Sequence, residues 1–183
     1  MIYQGGVGGP LVFGAPLGDE RSLYGTAGNV AYKLRAPPAA GGDWTYTTLY
    51  TFPLDRPPVQ WPLAVGASGS LFGVTESGGY VGGFCLYFEG CGTVFSLTPP
   101  ATAGGPWAEQ ILHLFNPGAG DGNRPNGGLV IGPGGVLYGA TPAGGEGYEK
   151  GGGTVFSLTP PAVPGAPMTE SILSVRRDRG RLL

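Results

Sequence analysis

His113, the only histidine in the chain, is the residue whose type most directly suggests catalysis. Ser–His–Asp or Cys–His chemistry needs the imidazole in a cleft beside a nucleophile. His113 instead falls within the mostly apolar run WAEQILHLF at 107–115, in a position equivalent to Tyr50 and Ser174 of two similar runs. The pattern therefore favours a half-exposed strand residue over a catalytic histidine.

Carboxylates suggest two further kinds of chemistry. Asp121 lies in the Gly-rich segment GAGDGNRPNGG, a composition that suits calcium, but calcium sites usually contain several carboxylates and this loop has one. We therefore interpret Asp121 and Asn123 as turn residues that bond the backbone. Glu109 and Glu170 could form a pair for glycoside hydrolysis, but their equivalent positions in two similar runs indicate a structural role. No metal ligand and no catalytic residue is predicted.

The two cysteines, Cys85 and Cys91, lie close together in the segment GGFCLYFEGCG. A single pair without a nearby histidine does not match a metal-binding pattern. The spacing favours a disulfide that closes this loop and contributes on the order of 2 kcal/mol, with two free thiols as the alternative. A disulfide implies an oxidising compartment.

Aromatic residues are concentrated around the same loop and in one other loop. Exposed aromatic side chains can stack on sugars or anchor a protein partner. The alternative is that the aromatic loop packs onto the neighbouring repeat. The candidate binding-surface residues are Tyr80, Phe84, Tyr87, Phe88 and Tyr148.

A repeated unit must position these residues. The ten residues GTVFSLTPPA occur at 92–101 and again at 153–162. A match also holds between LAVGASGSLFGVT and LVIGPGGVLYGAT, and LVFGAPLGDERSLYGTA is a looser third copy. Self-similarity of this kind is the signature of a repeat architecture. The sequence predicts three units that begin near Leu11, Leu63 and Leu129.

Each unit contains four short runs rich in Val, Thr, Tyr, Phe and Leu, which is typical of β-strands. Long helices are disfavoured because the 183 residues include 38 Gly and 19 Pro. In the first unit, LYGTA and VAYKL are joined only by Gly28 and Asn29, which predicts a tight antiparallel hairpin. In the last run of that unit, one face is expected to carry Trp44, Tyr46, Thr48, Tyr50 and Phe52.

The predicted fold is all-β, with tandem four-stranded antiparallel blades that form a partial β-propeller of about three blades. An open β-solenoid is the alternative. Three blades leave open edges, which predicts either missing blades or association between copies. The expected boundaries within one repeat domain are 1–10 for a remnant of a preceding blade strand, 11–62 for blade 1, 63–128 for blade 2, 129–175 for blade 3 and 176–183 for a basic tail.

Composition excludes several classes of partner. Charged residues make up only 12% of the chain, the net charge is −2, and four of the ten basic residues are Arg176, Arg177, Arg179 and Arg181 in the tail. The body therefore lacks the basic surface of a nucleic-acid-binding protein. No apolar run is long enough to span a membrane, and no signal peptide is visible. No cofactor is predicted, because phosphate-binding loops and nucleophile elbows are absent.

The strings GTVFSLTPPA, GGPWAEQILHLF, GDGNRPNGGLV and GGVLYGATPAGG resemble the GloVer-type tandem repeat of multi-copy, exported bacterial proteins with varied surface anchors. The similarity covers nearly all of residues 11–175 and is weakest in the first unit. The resemblance implies a β-propeller-like fold, export and more repeats than three. It implies no activity.

The expected function is that of a non-enzymatic, exported β-propeller-like module, secreted or at the cell surface in its full-length parent. It would act as a scaffold, or bind glycan or protein through blade loops, and could form a homo-oligomer through open blade edges. The alternatives are a fragment of a carbohydrate-active propeller enzyme and a truncated reading frame without function.

Overall fold

The computed structural model describes residues 9–14, 21–53, 61–79, 82–117, 120–145, 152–162 and 166–173. The prediction of an all-β chain is confirmed, because these ranges contain strands and short 3-10 helices but no α-helix. The 3-10 helices include Gly83–Phe88 and Pro133–Gly135. No helix in this part of the chain is long and apolar enough to cross a membrane. The strands are β1 (Val12–Phe13), β2 (Ser22–Ala27), β3 (Val30–Arg35), β4 (Thr45–Thr51), β5 (Ala64–Val65), β6 (Leu71–Thr75), β7 (Thr93–Thr98), β8 (Ala108–Leu114), β9 (Gly122–Asn123), β10 (Val130–Ile131), β11 (Leu137–Thr141), β12 (Ala143–Gly144), β13 (Thr154–Thr159) and β14 (Thr169–Leu173).

Three four-stranded antiparallel sheets follow one another along the chain. Their strand orders are β1-β2-β3-β4, β5-β6-β7-β8 and β10-β11-β13-β14. The two copies of the identical ten-residue string supply the third strand of the second and third sheets, as β7 and β13. The described residues form no closed barrel or propeller, so the assignment of these sheets to propeller blades stays a prediction.

The connections between the second and third strands differ among the sheets. Gly28 and Asn29 join β2 to β3, and Ala27 pairs with Val30, so the predicted tight hairpin is confirmed. Gly28 has a φ of 57°, a left-handed conformation that glycine adopts without a steric penalty. The equivalent connections in the second and third sheets are longer, at residues 76–92 and 142–153, so the length of this connection varies as the sequence indicates.

A β-bulge interrupts β4, the last strand of the first sheet. Tyr50 lies opposite Ala31 and Thr48 lies opposite Tyr32, so Leu49 is an extra residue without its own partner. A bulge of this kind breaks the alternation of side chains between the two faces of a strand.

The expectation that one face of this strand carries every second residue from Trp44 to Phe52 is therefore wrong. Trp44 precedes β4 and is exposed, whereas Phe52 is fully buried. In β8 of the second sheet, Leu112 is the extra residue at the equivalent position. The first and second units thus share the irregularity of their last strand, whereas the described part of β14 in the third sheet pairs regularly with β13.

The core lies between neighbouring sheets and repeats the same aromatic contact. Phe52, just after β4, meets Phe95 of β7 with ring centroids 5.0 Å apart. Phe115, just after β8, meets Phe156 of β13 at 5.1 Å. Both pairs are edge-to-face, the arrangement that the aromatic quadrupole favours, and all four rings are buried. Each sheet therefore packs on the next through equivalent residues.

A two-stranded sheet adds a further link between the second and third units. Its strands are β9, in the segment after β8, and β12, in the loop after β11. Strand β9 also contacts β11 and β13. The Gly-rich segment around Asp121 is therefore held against the third sheet.

Candidate functional site

Cys85 and Cys91 form a disulfide, as the sequence analysis favoured. The bond closes the disulfide loop, defined here as residues 83–91, between β6 and β7. Both cysteines are buried in the core between the second and third sheets. Gly90 N donates to Cys85 O at 2.8 Å, and Gly78 N donates to Glu89 O at 2.7 Å. The loop is thus held in place by the buried disulfide and by these backbone hydrogen bonds.

Two large apolar side chains project from this anchored loop. Leu86 is 67% exposed and Tyr87 is 82% exposed. Both belong to the 3-10 helix Gly83–Phe88, and the disulfide begins at the residue before them. Because their backbone is already ordered, a partner that binds them meets a small further loss of conformational entropy.

Of the five predicted binding-surface residues, Tyr87 is the one whose side chain the structure describes. Phe84 and Phe88 lie in the same 3-10 helix, but their side chains are outside the described part of the chain. Tyr80 and Tyr148 also lie outside the described residues. Leu86 is absent from the predicted binding surface because that surface was restricted to aromatic residues. An aliphatic neighbour of a tyrosine between two close cysteines was the signal that could have found it.

A cluster of three chemically active side chains lies where the second and third sheets meet. His113 Nε2 is 2.9 Å from Asp121 Oδ2 and 3.2 Å from Glu170 Oε1. The sequence suggests a separate role for each of these residues, and their meeting was not predicted. Among the described residues, no other group of three His, Cys, Asp or Glu side chains comes close enough to hold a metal ion together.

Three elements bring this cluster together. His113 lies on β8 directly after the bulge residue Leu112, and Glu170 lies on β14 of the third sheet. Asp121 immediately precedes β9, whose pairing with β12 ties this segment to the third sheet. Gly145 N reinforces the tie by donating to Asp121 O at 2.8 Å. The cluster therefore depends on how the sheets pack and not on any local motif.

The Asp121 carboxylate is held by two backbone donors in addition to the imidazole. Asn116 N donates to Oδ2 at 2.9 Å, and Gly122 N donates to Oδ1. These bonds confirm the backbone-bonding role that the sequence predicted for Asp121. Asn123, the other predicted turn residue, lies in β9, and its buried Oδ1 accepts no hydrogen bond. This oxygen therefore gives no support to the predicted turn role of Asn123.

Electrostatics distinguish the two carboxyl groups of the cluster. The pKa of Glu170 is raised to about 7, chiefly by burial; the charge of His113 opposes the rise, and the charge of Asp121 and a hydrogen bond to it add to the rise. Burial alone would also raise the pKa of Asp121. The hydrogen bonds from His113 and Asn116 outweigh burial, and the pKa of Asp121 is lowered. Below neutral pH, Glu170 therefore holds a proton while Asp121 is ionised.

In its ionised form, Glu170 has a buried oxygen, Oε1, that accepts no hydrogen bond. His113 Nε2 lies 3.2 Å away, but its single proton points to Asp121 Oδ2, since an ionised carboxylate only accepts. A buried carboxylate oxygen without a donor is costly. This oxygen of the cluster thus lacks a hydrogen-bond donor, although the imidazole of His113 lies beside it.

The first and second sheets meet through a related but simpler contact. Tyr50 Oη donates to Glu109 Oε2 at 2.9 Å. By the repeat, Tyr50 occupies the place of His113, and Glu109 occupies the place of Glu170. Each glutamate therefore links its own sheet to the sheet before it. These contacts support the structural role that the sequence predicted for Glu109 and Glu170.

Nucleophilic catalysis by His113 has no support in these contacts. Within the described part of the chain, the imidazole forms its hydrogen bond and ion pairs with the carboxyl groups of Asp121 and Glu170, and not with a hydroxyl or thiol. Glu109 and Glu170 contact different partners on different sheets, which favours separate structural roles for them.

Comparison with protein-family models, with curated proteins and with solved structures returned no match to this chain. The resemblance to the GloVer-type repeat therefore stays a prediction.

Proposed function

We propose that this chain is a non-enzymatic, β-propeller-like module of an exported protein, and that it binds a protein partner through the disulfide loop. The observation that carries the proposal is the joint exposure of Leu86 and Tyr87, at 67% and 82%, above a buried disulfide. Large apolar side chains held outward by a covalent anchor are typical of binding hot spots.

The chemistry of the pair favours a protein over a glycan. Tyr87 offers an aromatic face and a hydroxyl, a combination that suits either kind of partner. Leu86 offers only aliphatic surface, which cannot bond sugar hydroxyls but fits an apolar pocket on a protein. Burying both side chains together therefore gains most from an apolar protein surface.

The propeller-like and exported character rests on separate features. Three sheets of the same strand order pack through equivalent phenylalanine pairs, as the blades of a propeller would. Structural disulfides persist in oxidising compartments, which supports export. The roles of Glu109 and Glu170 as links between sheets support a module without catalysis.

Photo-crosslinking tests the binding proposal. The photoreactive residue p-benzoylphenylalanine replaces Tyr87 in the oxidised chain, which is irradiated with the extracellular fraction of its native cells. We expect one discrete cross-linked protein, and we expect Leu86→Ala in the same chain to abolish it. The matched control is Val130→Ala, since Val130 is also 67% exposed but lies on β10, away from the loop.

Purified partner then supplies the affinity measurement. Leu86→Ala and Tyr87→Ala should each weaken binding by about 10-fold or more, as expected for hot-spot residues, and Val130→Ala should not. Absence of any cross-link at position 87 would overturn the proposal. A glycan-array signal that needs Tyr87 but not Leu86 would replace the protein partner with a glycan.

A further inference from the structure

The cluster of His113, Asp121 and Glu170 has the dimensions of a metal site. Its three ligand atoms all lie within 4.8 Å of one another, and the two separations from Nε2 are 2.9 and 3.2 Å. Ligand atoms on a tetrahedral zinc ion, each about 2.0–2.1 Å from the metal, lie roughly 3.3 Å apart. A small outward adjustment of the side chains would therefore admit an ion.

The unpartnered oxygen of Glu170 is the second observation that points to a cation. As a carboxylate, its Oε1 is buried, lacks a hydrogen-bond donor and faces the imidazole nitrogen from 3.2 Å. When Glu170 is ionised, the carboxylate of Asp121 in the same cluster repels it. A cation between the two carboxylates would give Oε1 a partner and relieve this repulsion.

We propose that His113 Nε2, Asp121 Oδ2 and Glu170 Oε1 bind one divalent transition-metal ion of the zinc class between the second and third sheets. A mixed set of imidazole nitrogen and carboxylate oxygen is a zinc set, whereas calcium and magnesium prefer sites built from oxygen alone. On binding, the proton on His113 Nε2 passes to Nδ1 or to solvent, and any proton on Glu170 is released to solvent. The freed nitrogen lone pair and the two carboxylates then coordinate the ion.

The surroundings favour an open site with three protein ligands. The side chains of His113 and Glu170 keep 17% and 21% exposure, so a water molecule or a partner's ligand can complete the coordination. Asn116 N and Gly122 N hold the Asp121 carboxylate in place from behind. Outer contacts of this kind orient ligands and increase metal affinity.

The contact between the first and second sheets, here called the first interface, shows that packing of the sheets does not require these ligands. There, Tyr50 donates to Glu109 and supplies a phenol, whereas the second interface, between the second and third sheets, has an imidazole. A neutral phenol and one carboxylate are a poor zinc set, so the inferred site belongs to the second interface. The variant His113→Tyr therefore copies a contact that the fold already uses and removes the metal ligand.

Calorimetric titration of the full chain with zinc chloride tests the inference. The chain must carry no added histidine, because His113 is then the only imidazole and the disulfide occupies both cysteines. We expect one zinc per chain and at least about 100-fold weaker binding for His113→Tyr, since loss of a direct ligand should exceed the 10–100-fold typical of outer contacts. Glu109→Gln, which changes the equivalent carboxylate at the first interface, should leave zinc binding unchanged.

Circular dichroism of each variant establishes that it is folded, and Glu170→Gln serves as a second test if His113→Tyr does not fold. Glutamine keeps the size of Glu170 but removes its charge, so zinc binding should again weaken by about 10-fold or more. Absence of zinc binding by the folded native chain would overturn the inference. Unchanged binding by either folded variant would overturn it as well, because the ion would then lie elsewhere.

Discussion

At the scale of single residues, pairs of threonine hydroxyls close the two long hairpin loops in the same way. Thr75 Oγ1 donates to Ser77 O at 2.7 Å and accepts from the hydroxyl and the backbone N of Thr93. Thr141 and Thr154 repeat this arrangement in the third sheet. The hydroxyl of the first threonine is thus fully used, and its loss would leave several buried groups without partners.

Replacement of Thr75 by valine tests this role. Thr75→Val keeps the shape of the side chain but removes the bonds to Ser77 O, Thr93 N and the Thr93 hydroxyl. We expect the free energy of unfolding in urea to fall by about 1–3 kcal/mol, the usual cost of buried polar groups left unpaired. Thr98→Val, at the exposed end of β7, is the control and should change stability little. Equal stability of both variants would contradict the assigned role.

At the scale of elements, a bulge shapes the last strand of the first and second sheets, and a glycine lies in the second strand of every sheet. The bulges at Leu49 and Leu112 precede Tyr50 and His113, the residues that reach the following sheet. Bulges commonly re-aim a side chain in this way. The glycine Gly139 lies in β11 beneath the buried ring of Phe156. The packing between sheets thus relies on both irregularities.

Alanine at Gly139 should disturb this packing. A Cβ atom there would lie 2.4 Å from the ring of Phe156, which is closer than any normal contact. We expect Gly139→Ala to lower the free energy of unfolding by about 1–3 kcal/mol, the typical cost of overpacking. Gly127→Ala is the control, because a Cβ atom at Gly127 would meet nothing within 4 Å. If thermal unfolding of the two variants were indistinguishable, the close approach would not constrain the sheet.

The disulfide loop is the second element whose contribution can be measured. Reduction of the Cys85–Cys91 bond releases a short loop, so the unfolded chain gains only modest freedom. We expect a reductant to lower the free energy of unfolding by about 2 kcal/mol. The variant Cys85→Ser/Cys91→Ser should show a similar loss in the absence of reductant. If the reductant destabilised the double-serine variant as well, its effect would not come from this bond.

At the scale of the whole molecule, three sheets packed in series leave apolar residues at both ends. Phe13 on β1 is 69% exposed, and Ile172 and Leu173 on β14 are also exposed. Inside the series, the phenylalanine pairs between sheets bury equivalent faces. The first and third sheets therefore expose apolar surface whose equivalent is covered in the middle sheet. Such surface is expected where a sheet packs against a further sheet or a second copy of the chain.

Self-association through the end sheets is the corresponding prediction. Light scattering after size exclusion should give a discrete dimer of the oxidised chain, as two sets of three sheets could together satisfy both open ends. Phe13→Ser should shift the mass to that of a monomer, because it removes apolar surface from the first sheet. Leu86→Ser, in the disulfide loop, is the control and should leave the dimer intact. A monomeric native chain at high concentration would contradict this expectation.

Local patterns were enough to predict much of the fold. Alternating apolar runs between Gly and Pro identified the strands, and two residues with turn chemistry identified the hairpin at Gly28 and Asn29. With a single pair of cysteines, one disulfide was the only pairing available. The bulge at Leu112 escaped detection because an extra residue in a strand is visible only against its partner strand.

By itself, the sequence determined the strand content, the tight hairpin and the disulfide, because these depend on interactions between residues close in the chain. Only the tertiary structure decided that His113, Asp121 and Glu170 share one site, since they come from a bulged strand, a Gly-rich segment and a different sheet. It also decided that Leu86 points outward beside Tyr87 while the cysteines point inward. Contacts between sheets depend on twist, register and packing, and no periodicity along a single strand specifies those quantities.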